Sequence, residues 1–198
     1  MTSLFILSAL YACLAPPAGP DPNSVYIEKI TTGGDGCPSP AAVATTISED
    51  RTIFVLSYIK MQLEHPPGPA VAKVHCKAGV HLHVPKGWQV ALTHVTTRGY
   101  AYLEHDMVAH QTASYRLAGV PIGAEYSHAL MGPHDDFYQF TDDPAATVWS
   151  KCGGPGLFAF TTTLTLDTSA NPEGQAIFNT TSSDGELAAR VHLDWRPC

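Results

Sequence analysis

The clearest pattern along the chain is an alternation of apolar and polar residues that begins at position 80. Val80, Leu82 and Val84 fall on one side of an extended backbone. His81 and His83 fall on the other side. The inverse arrangement would bury two imidazoles and leave three aliphatic side chains in water, which costs free energy. The pattern therefore predicts a strand whose aliphatic face lies in the core and whose histidines point outward.

A turn and a second strand follow directly. Residues 85–87, Pro-Lys-Gly, are of the types that end a strand and reverse the chain. The alternation resumes over residues 88–93 and changes phase at His94, which a β-bulge would explain. Residues 98–99, Arg-Gly, indicate another turn or bulge. We therefore expect residues 80–103 to form a meander of two or three antiparallel strands.

Similar short apolar segments recur along the chain between turns rich in Gly and Pro. The other predicted strands lie at residues 25–30, 52–61, 71–76, 108–119, 158–167, 176–181 and 187–195. Residues 131–143 are predicted to be mostly loop around an aromatic core of Phe137, Tyr138 and Phe140. About nine or ten short strands without helical periodicity predict an all-β, single-domain antiparallel β-sandwich, with a barrel as the alternative.

Composition limits the class of protein further. With 198 residues the chain fits one domain and can bury a sizeable core. Its 16 Gly and 16 Pro supply the turns that many short strands need. Only 15% of the residues are charged and the net charge is −7, which excludes a nucleic-acid binder because that function needs a basic patch.

The N-terminus has the features of a secretory signal peptide. An apolar run at residues 4–15 precedes small and Pro-rich residues, which predicts cleavage after Ala15. This run is too short to span a bilayer, and the later sequence offers no membrane span. We therefore predict a signal peptide at 1–15, a Pro-rich extended N-terminus at 16–24 and the β-sandwich domain at 25–198. The predicted location is secreted, extracellular or in a cell wall, with no membrane partner.

Four cysteines remain once the predicted signal peptide is removed: Cys37, Cys76, Cys152 and Cys198. An even number in an exported chain indicates two disulfides, for which three connectivities are possible. We predict that Cys37 pairs with Cys76 and Cys152 with Cys198, because the second bridge then holds the C-terminal end of the chain. An Asn-Thr-Thr sequon also predicts an N-linked glycan at Asn179.

Metal binding and hydrolysis have little support. His81 and His83 share a strand face at a spacing that some metal sites use. The chain contains 10 His, however, and pairs on one face of a sheet arise without any metal. We predict no cofactor and no metal, with His81 and His83 as the ligands if one binds. A Gly-x-Ser-x-Gly nucleophile elbow is missing from the sequence, and the acidic doublets at 49–50, 135–136 and 142–143 are typical of solvated loops.

Aromatic residues offer a better hypothesis for function. Tyr100 and Tyr102 share one strand face, and Tyr115 lies in the next predicted strand. These three side chains could form a platform for sugar rings or for a protein partner. The alternative is that the aromatic side chains fill the core, which we expect for the three tryptophans.

Short motifs occur in order along nearly the whole predicted mature chain. They are Gly36-Cys37-Pro38, Ser48-Glu49-Asp50-Arg51-Thr52, Cys76, His83-Val84-Pro85-Lys86-Gly87-Trp88-Gln89, Arg98-Gly99-Tyr100-Ala101, Ser114-Tyr115, Gly132-Pro133, Val148-Trp149-Ser150-Lys151-Cys152-Gly153, Ser182-Ser183-Asp184-Gly185 and Trp195-Arg196-Pro197-Cys198. Together they resemble a family of secreted fungal proteins known as domain of unknown function 4360, which usually has Pro at position 151. The resemblance implies a small, exported, cysteine-bridged β protein and implies no activity.

The functional hypothesis is therefore a secreted β protein, extracellular or associated with the cell wall, that binds glycan or protein. Two alternatives are an extracellular metal-dependent or hydrolytic enzyme and a structural cell-wall protein. A pocket with converging His and Asp side chains would favour the enzyme. A flat, exposed, aromatic strand face would favour binding.

Overall fold

The computed structural model describes residues 19–180 and 189–198, so the predicted signal peptide lies outside the described residues. Within this part the chain forms twelve β-strands and no α-helix. In chain order the strands are β1 (Ile27–Gly33), β2 (Val43–Ile47), β3 (Ile53–Tyr58), β4 (Gln62–His65), β5 (Val71–Leu82), β6 (Trp88–Leu103), β7 (Val108–Leu117), β8 (Val120–Met131), β9 (His134–Asp142), β10 (Gly156–Asp167), β11 (Ala176–Asn179) and β12 (Ala189–Pro197). No helix in the described residues has the length and hydropathy to cross a membrane.

The strands form two antiparallel sheets. The five-stranded sheet has the order β1-β5-β10-β7-β8. The seven-stranded sheet has the order β2-β3-β12-β6-β11-β4, and β9 also pairs with β6. Both sheets are open and pack through their inner faces, so the predicted β-sandwich is confirmed and the barrel alternative is not.

Strand β6, the longest at 16 residues, organises the seven-stranded sheet. Tyr100 pairs with Phe137 of β9 on one side and with Asn179 of β11 on the other. Thr97 pairs with Ala189 of β12 on the same side as β11. Strands β12 and β11 therefore lie one after the other along one edge of β6. Near the C-terminal end of β6, four strands lie side by side in the order β9, β6, β11 and β4.

The core follows the predicted alternation. Val80, Leu82 and Val84 are buried, whereas His81 and His83 are partly exposed on the outer face of the five-stranded sheet. The prediction for this strand is confirmed. The reason is the two-residue period of a strand, which separates the aliphatic from the polar side chains.

Aromatic packing joins the two sheets. Phe54 of the seven-stranded sheet lies 5.9 Å from Phe158 and 5.6 Å from Phe160 of the five-stranded sheet, measured between ring centroids. All three side chains are buried. The edge-to-face contact between Phe54 and Phe160 is a favoured aromatic geometry and adds to the hydrophobic stabilisation.

Both predicted disulfides form. Cys37, in the loop after β1, is bonded to Cys76 in β5. Cys152, in the loop before β10, is bonded to Cys198 at the end of β12. The Cys198 amide also donates to the carbonyl of Gly87 at 2.8 Å. The C-terminal end is therefore held by a covalent bond and by the backbone, as the sequence suggested.

Three local predictions are wrong. Residues 131–143 are not mostly loop, because β8 ends at Met131 and β9 begins at His134. Residues 98–99 do not turn, and β6 passes through them in unbroken register with β9. Within the segment predicted to be extended, Pro22–Ser24 form a single 3-10 turn, because the Asp21 carboxylate accepts a hydrogen bond from the Asn23 amide.

The predicted bulge is present close to His94. His192 of β12 pairs with His94, and the next residue, Leu193, pairs with Leu92. Thr93 is therefore the extra residue in β6. The bulge brings the rings of His94 and His192 into a stacked contact, with centroids 3.7 Å apart.

This stacked pair makes stability depend on pH. Burial, the neighbouring His94 and the charge of Arg190 lower the pKa of His192 below its ordinary value. The unfolded chain therefore binds a proton at His192 before the folded chain does, so the free energy of unfolding falls as the pH drops below about 6.5. We expect His192→Gln to lose less stability than the wild type on acidification, measured by urea unfolding. His81→Gln, on the other sheet, is the control and should behave as the wild type.

Equal losses in His192→Gln and in the wild type would show that the stacked pair has no such effect. A larger loss in His192→Gln would give the effect the opposite sign and would also contradict the expectation.

Candidate functional site

The most distinctive surface lies on the outer face of the seven-stranded sheet, near the C-terminal end of β6. Four strands, β9, β6, β11 and β4, place neighbouring side chains there in two rows. One row is Phe137, Tyr100, Asn179 and Gln62, and the next is Asp135, Tyr102, Ile177 and Glu64. We call the surface formed by Tyr100, Tyr102, Phe137 and Ile177 the tyrosine face.

A glycine inside β6 allows the strands to meet at this point. A Cβ atom on Gly99 would lie 2.0 Å from the carbonyl oxygen of Asn179 and 2.5 Å from the hydroxyl of Tyr138. That hydroxyl donates to the Asn179 carbonyl at 2.7 Å, across β6. The sequence suggested a turn or bulge at Gly99, but this residue lies inside a continuous strand. It makes room for a tyrosine that links β9 to β11 beneath the tyrosine face.

Tyr100 is held in place by contacts with two neighbouring strands. Its hydroxyl donates to Oδ1 of Asp135 at 2.6 Å, and its ring meets the ring of Phe137 edge-on with centroids 5.6 Å apart. Its backbone amide donates to the side chain of Asn179. The hydrogen bond to Asp135 is the main cause that raises the pKa of Tyr100. Phe137 itself is 55% exposed, so this pair of rings presents an apolar edge to solvent.

Tyr102 stands between two surface depressions. The larger, about 460 Å³, is lined by Tyr102, Leu103, Glu104, His105, Pro133, His134 and Asp135. The smaller, about 250 Å³, is lined by Glu64, His65, Pro66, Tyr102, Gln175, Ala176 and Ile177. The Tyr102 hydroxyl donates to Glu104 at 3.3 Å. Partial burial, followed by the charge of Glu104, raises the pKa of Tyr102.

Each depression is lined by a histidine whose ring has a buried nitrogen without a partner among the described residues. His65 is only 8% exposed, and its Nε2 lies 2.9 Å from the carbonyl oxygen of Pro172. Its Nδ1 has no hydrogen-bond partner, and neither has Nε2 of His134 in the larger depression. Because Nε2 of His65 must donate to the carbonyl, Nδ1 of the neutral ring carries the lone pair and acts as an acceptor.

Tyr115 does not belong to the tyrosine face. It lies on the inner side of the five-stranded sheet and is 3% exposed, so it cannot join Tyr100 and Tyr102 in a binding platform. Its hydroxyl donates to Asp142, whose other oxygen lies 2.6 Å from Nε2 of His128. Burial, together with the charge of Asp142, raises the pKa of Tyr115. The alternation across residues 108–119, which places Tyr115 on the same side as Ala109, Ala113 and Leu117, was the sequence signal for this burial.

The two histidines singled out for metal binding have other contacts. Nδ1 of His83 lies 2.9 Å from Glu28, and its ring stacks on Tyr26 with centroids 4.8 Å apart. His81 lines a shallow depression with Thr31 and Leu157 on the same sheet. In residues 19–180 and 189–198, no three His, Cys, Asp or Glu side chains are close enough to hold a metal ion.

One of the acidic doublets has a structural role. The carboxylate of Asp50 accepts hydrogen bonds from the hydroxyls of Ser48 and Thr52 and from the Thr52 amide. The hydrogen bond from Ser48 is the main cause that lowers the pKa of Asp50. The indole of Trp195 donates to the carbonyl of Arg51 at 2.8 Å, which joins this turn to the last strand. Two of the motifs that suggested the family therefore meet in a structural contact.

The sequence did not identify three residues of the surface. Phe137 was assigned to an aromatic core, although Tyr138 is the buried residue and Phe137 the exposed one. Glu64 and Ile177 lie in short strands far from β6 in sequence, and only the strand register places them beside Tyr102. Tyr138 and Phe140 are two residues apart and share one face of a strand, so the alternation could have placed Phe137 on the opposite, exposed face.

Fold and surface together define a β-sandwich with an exposed aromatic and acidic patch on one sheet. The chain belongs to the family described as "Domain of unknown function (DUF4360)", whose model matches residues 23–198. The resemblance seen in the motifs is thereby confirmed. An "Uncharacterized secreted protein" of Arthroderma benhamiae is 30% identical over 183 residues, which cover 90% of this chain and 74% of that protein.

Two solved structures give weak matches. One is TmCBM61 in complex with β-1,4-galactotriose, with a TM-score of 0.29 and 8% identity over 86% of this chain and 90% of that chain. The other is the enzymatically active domain of tailspike protein 4 of bacteriophage CBA120, with a TM-score of 0.27 and 12% identity over 92% of this chain and 21% of that chain. At these TM-scores neither match bears on the site.

Proposed function

We propose that this protein is an extracellular carbohydrate-binding module and that the tyrosine face is its binding surface. The observation that carries the proposal is the position of Tyr102, an aromatic ring between two depressions on an exposed strand face. A pyranose ring has an apolar C–H face that packs on an aromatic ring, and its hydroxyls need polar partners around the edge. Glu64, Glu104 and Asp135 supply acceptors on both sides of Tyr102.

Preorganisation supports binding at this place. Tyr100 is fixed by Asp135 and Phe137, and the strands below are linked through Tyr138. A ligand that meets side chains already held in one conformation loses less entropy on binding. The platform also lies on paired strands rather than on loops, which gives it a defined shape.

Two further features support an extracellular role. Both disulfides are of the kind that persist in oxidising compartments, and the relative from Arthroderma benhamiae is described as secreted. We infer that the protein is exported, with a cell wall as one place where it would meet glycans. The predicted signal peptide and the predicted glycan at Asn179 are part of this proposal.

The predicted glycan affects the design of a binding experiment. Asn179 pairs with Tyr100 in the sheet, so a sugar attached to Asn179 would stand next to the tyrosine face. Thr181→Ala removes the sequon and leaves the Asn179 side chain in place. Binding is therefore best measured on the Thr181→Ala protein and compared with the wild type.

We expect Tyr102→Ala to weaken carbohydrate binding strongly. Truncation of a central aromatic contact costs about 2 kcal/mol, which corresponds to roughly a 30-fold increase in Kd. The measurement is calorimetric titration with the best ligand from a panel of soluble glucose, mannose, glucosamine and N-acetylglucosamine oligomers. Tyr26→Ala, which truncates an exposed tyrosine on the other sheet, is the matched control and should bind as the parent does.

Two results would contradict the proposal. One is a parent protein that binds none of the oligomers in the panel. The other is an equal loss of affinity in Tyr102→Ala and Tyr26→Ala, since the effect would then not come from the tyrosine face. Capture of an extracellular protein through Tyr102, without any glycan binding, would favour the protein-binding alternative.

A further inference from the structure

We propose that the ligand of the tyrosine face is a glycan that carries free amino groups, such as an oligomer of glucosamine. This inference rests on the proposed carbohydrate-binding function and specifies its ligand. It follows from the charges in the two depressions and from the ring between them.

Apart from the histidines His65, His105 and His134, the charged residues that line the two depressions are acidic. Glu64 lines the smaller depression, and Glu104 and Asp135 line the larger one. Neither lysine nor arginine is among the described residues that line them. The nearest arginine along β6, Arg98, lies beyond Tyr100 and donates to Gln139 at 2.8 Å. A cationic group in either depression would therefore meet carboxylates without a competing positive charge of a lysine or an arginine.

Tyr102 adds a second attraction for a cation. The face of a phenol ring carries a partial negative charge, and an ammonium group close to it is stabilised by a cation–π interaction. Glu104 accepts a hydrogen bond from the Tyr102 hydroxyl, so its carboxylate lies at the edge of the same ring. The arrangement of one ring with carboxylates on both sides is suited to an ammonium group. An anionic glycan would be repelled by it, and also by the net charge of −7 on the chain.

Histidine rings also line the depressions, but they belong to the inner face of the sheet, because His65 pairs with buried Ala176 and His134 pairs with buried Leu103. Glu64 and Asp135 alternate with them and lie on the outer face, in the same row as Tyr102. The carboxylates are therefore the polar groups that a ligand on the tyrosine face would meet. An ammonium group has three donors and no acceptor, so it matches the carboxylates around it.

The repeat of a glycan fits this arrangement better than a single cation does. Every sugar of a glucosamine oligomer has both an apolar ring face and an amino group. One sugar can pack on Tyr102 while its two neighbours bring an amine to Glu64 on one side and to Glu104 and Asp135 on the other. We therefore infer at least two amine positions, one in each depression.

The experiment compares three oligomers of equal length on the Thr181→Ala protein: glucosamine, N-acetylglucosamine and glucose. Calorimetric titration at mildly acidic pH keeps the amines protonated. We expect the glucosamine oligomer to bind at least tenfold more tightly than the other two. Added salt should weaken its binding, because the carboxylates lie near the surface and are screened.

Charge-removing variants test the role of each depression. Glu64→Gln and Asp135→Asn keep the shape of the side chains and remove their charge, and each should weaken glucosamine binding several-fold. Asp194→Asn makes the same chemical change in β12, opposite Ala91 near the other end of β6, and is the matched control. Its affinity for the glucosamine oligomer should equal that of the parent.

The possible outcomes separate this inference from the proposed function. Equal binding of the three oligomers, with loss in Tyr102→Ala, would overturn the amine inference and leave the carbohydrate site standing. Binding of none of them would overturn the amine inference, and failure of the mannose oligomer to bind as well would overturn the proposed function. A basic peptide of lysines that binds more tightly than the glucosamine oligomer, through the same carboxylates, would also overturn the inference.

Discussion

Asp142→Ala is expected to lower the free energy of unfolding by about 3 kcal/mol, because it leaves buried polar partners without an acceptor and opens a cavity. Asp142 is 1% exposed and belongs to β9. Its two oxygens bind the hydroxyl of Tyr115 and the ring of His128, which belong to the opposite sheet. Urea unfolding, followed by tryptophan fluorescence, gives the free-energy difference directly.

Two further variants separate the possible causes of this loss. Asp142→Asn keeps an acceptor oxygen and nearly the same volume, so it should cost less than alanine. Asp143→Ala removes the neighbouring exposed carboxylate and should change stability by no more than about 0.5 kcal/mol. If Asp142→Ala unfolded at the same urea concentration as Asp143→Ala, the link between the sheets would have no energetic importance. Because β9 also carries Asp135 and Phe137, we expect Asp142→Ala to weaken ligand binding as well.

Removal of the buried disulfide should have an effect of similar size. Cys37 and Cys76 are 39 residues apart in sequence, and closing a loop of that length restricts the unfolded chain by about 4 kcal/mol in the loop-entropy model. Both cysteines are buried, so Cys37→Ala with Cys76→Ala replaces the bridge by two small apolar side chains. We expect the double variant to lose about 3–5 kcal/mol, measured by urea unfolding.

The second bridge provides an informative comparison. Cys152 and Cys198 are 46 residues apart, so the loop-entropy model gives nearly the same value for them. If the protein with Cys37→Ala and Cys76→Ala were as stable as the wild type, the stabilising role assigned to the Cys37–Cys76 bridge would be contradicted. A reducing agent acts on both bridges of the wild type, so full reduction should cost more stability than Cys37→Ala with Cys76→Ala.

The two-residue alternation predicted most of the central strands because one of their faces is buried and the other is not. It failed at residues 131–143, where a polar residue occupies an inward position. Asp142 interrupts the apolar pattern of Tyr138 and Phe140, and its burial is possible only because Tyr115 and His128 arrive from the other sheet. The sequence of β9 alone does not contain those partners.

The same distinction applies to the tyrosine face. Tyr100 and Tyr102 could be placed on one face from their spacing within a single strand. Glu64 and Ile177 come from other strands, and their positions depend on strand pairing across long sequence separations. Tyr115 was assigned to the wrong environment because an exposed and a buried tyrosine look alike when the strand partners are unknown. Local periodicity therefore predicts faces of strands, and register decides which faces share a site.

Carbohydrate binding to the tyrosine face can be located by backbone amide chemical shifts measured during a titration. The ¹⁵N-labelled Thr181→Ala protein is titrated with the glucosamine oligomer. We predict that the largest shift changes occur at Tyr102, Ile177 and Asp135, and that the amides around His81 on the opposite sheet do not change. Shift changes centred on the five-stranded sheet, or none at saturating ligand, would contradict binding at the tyrosine face.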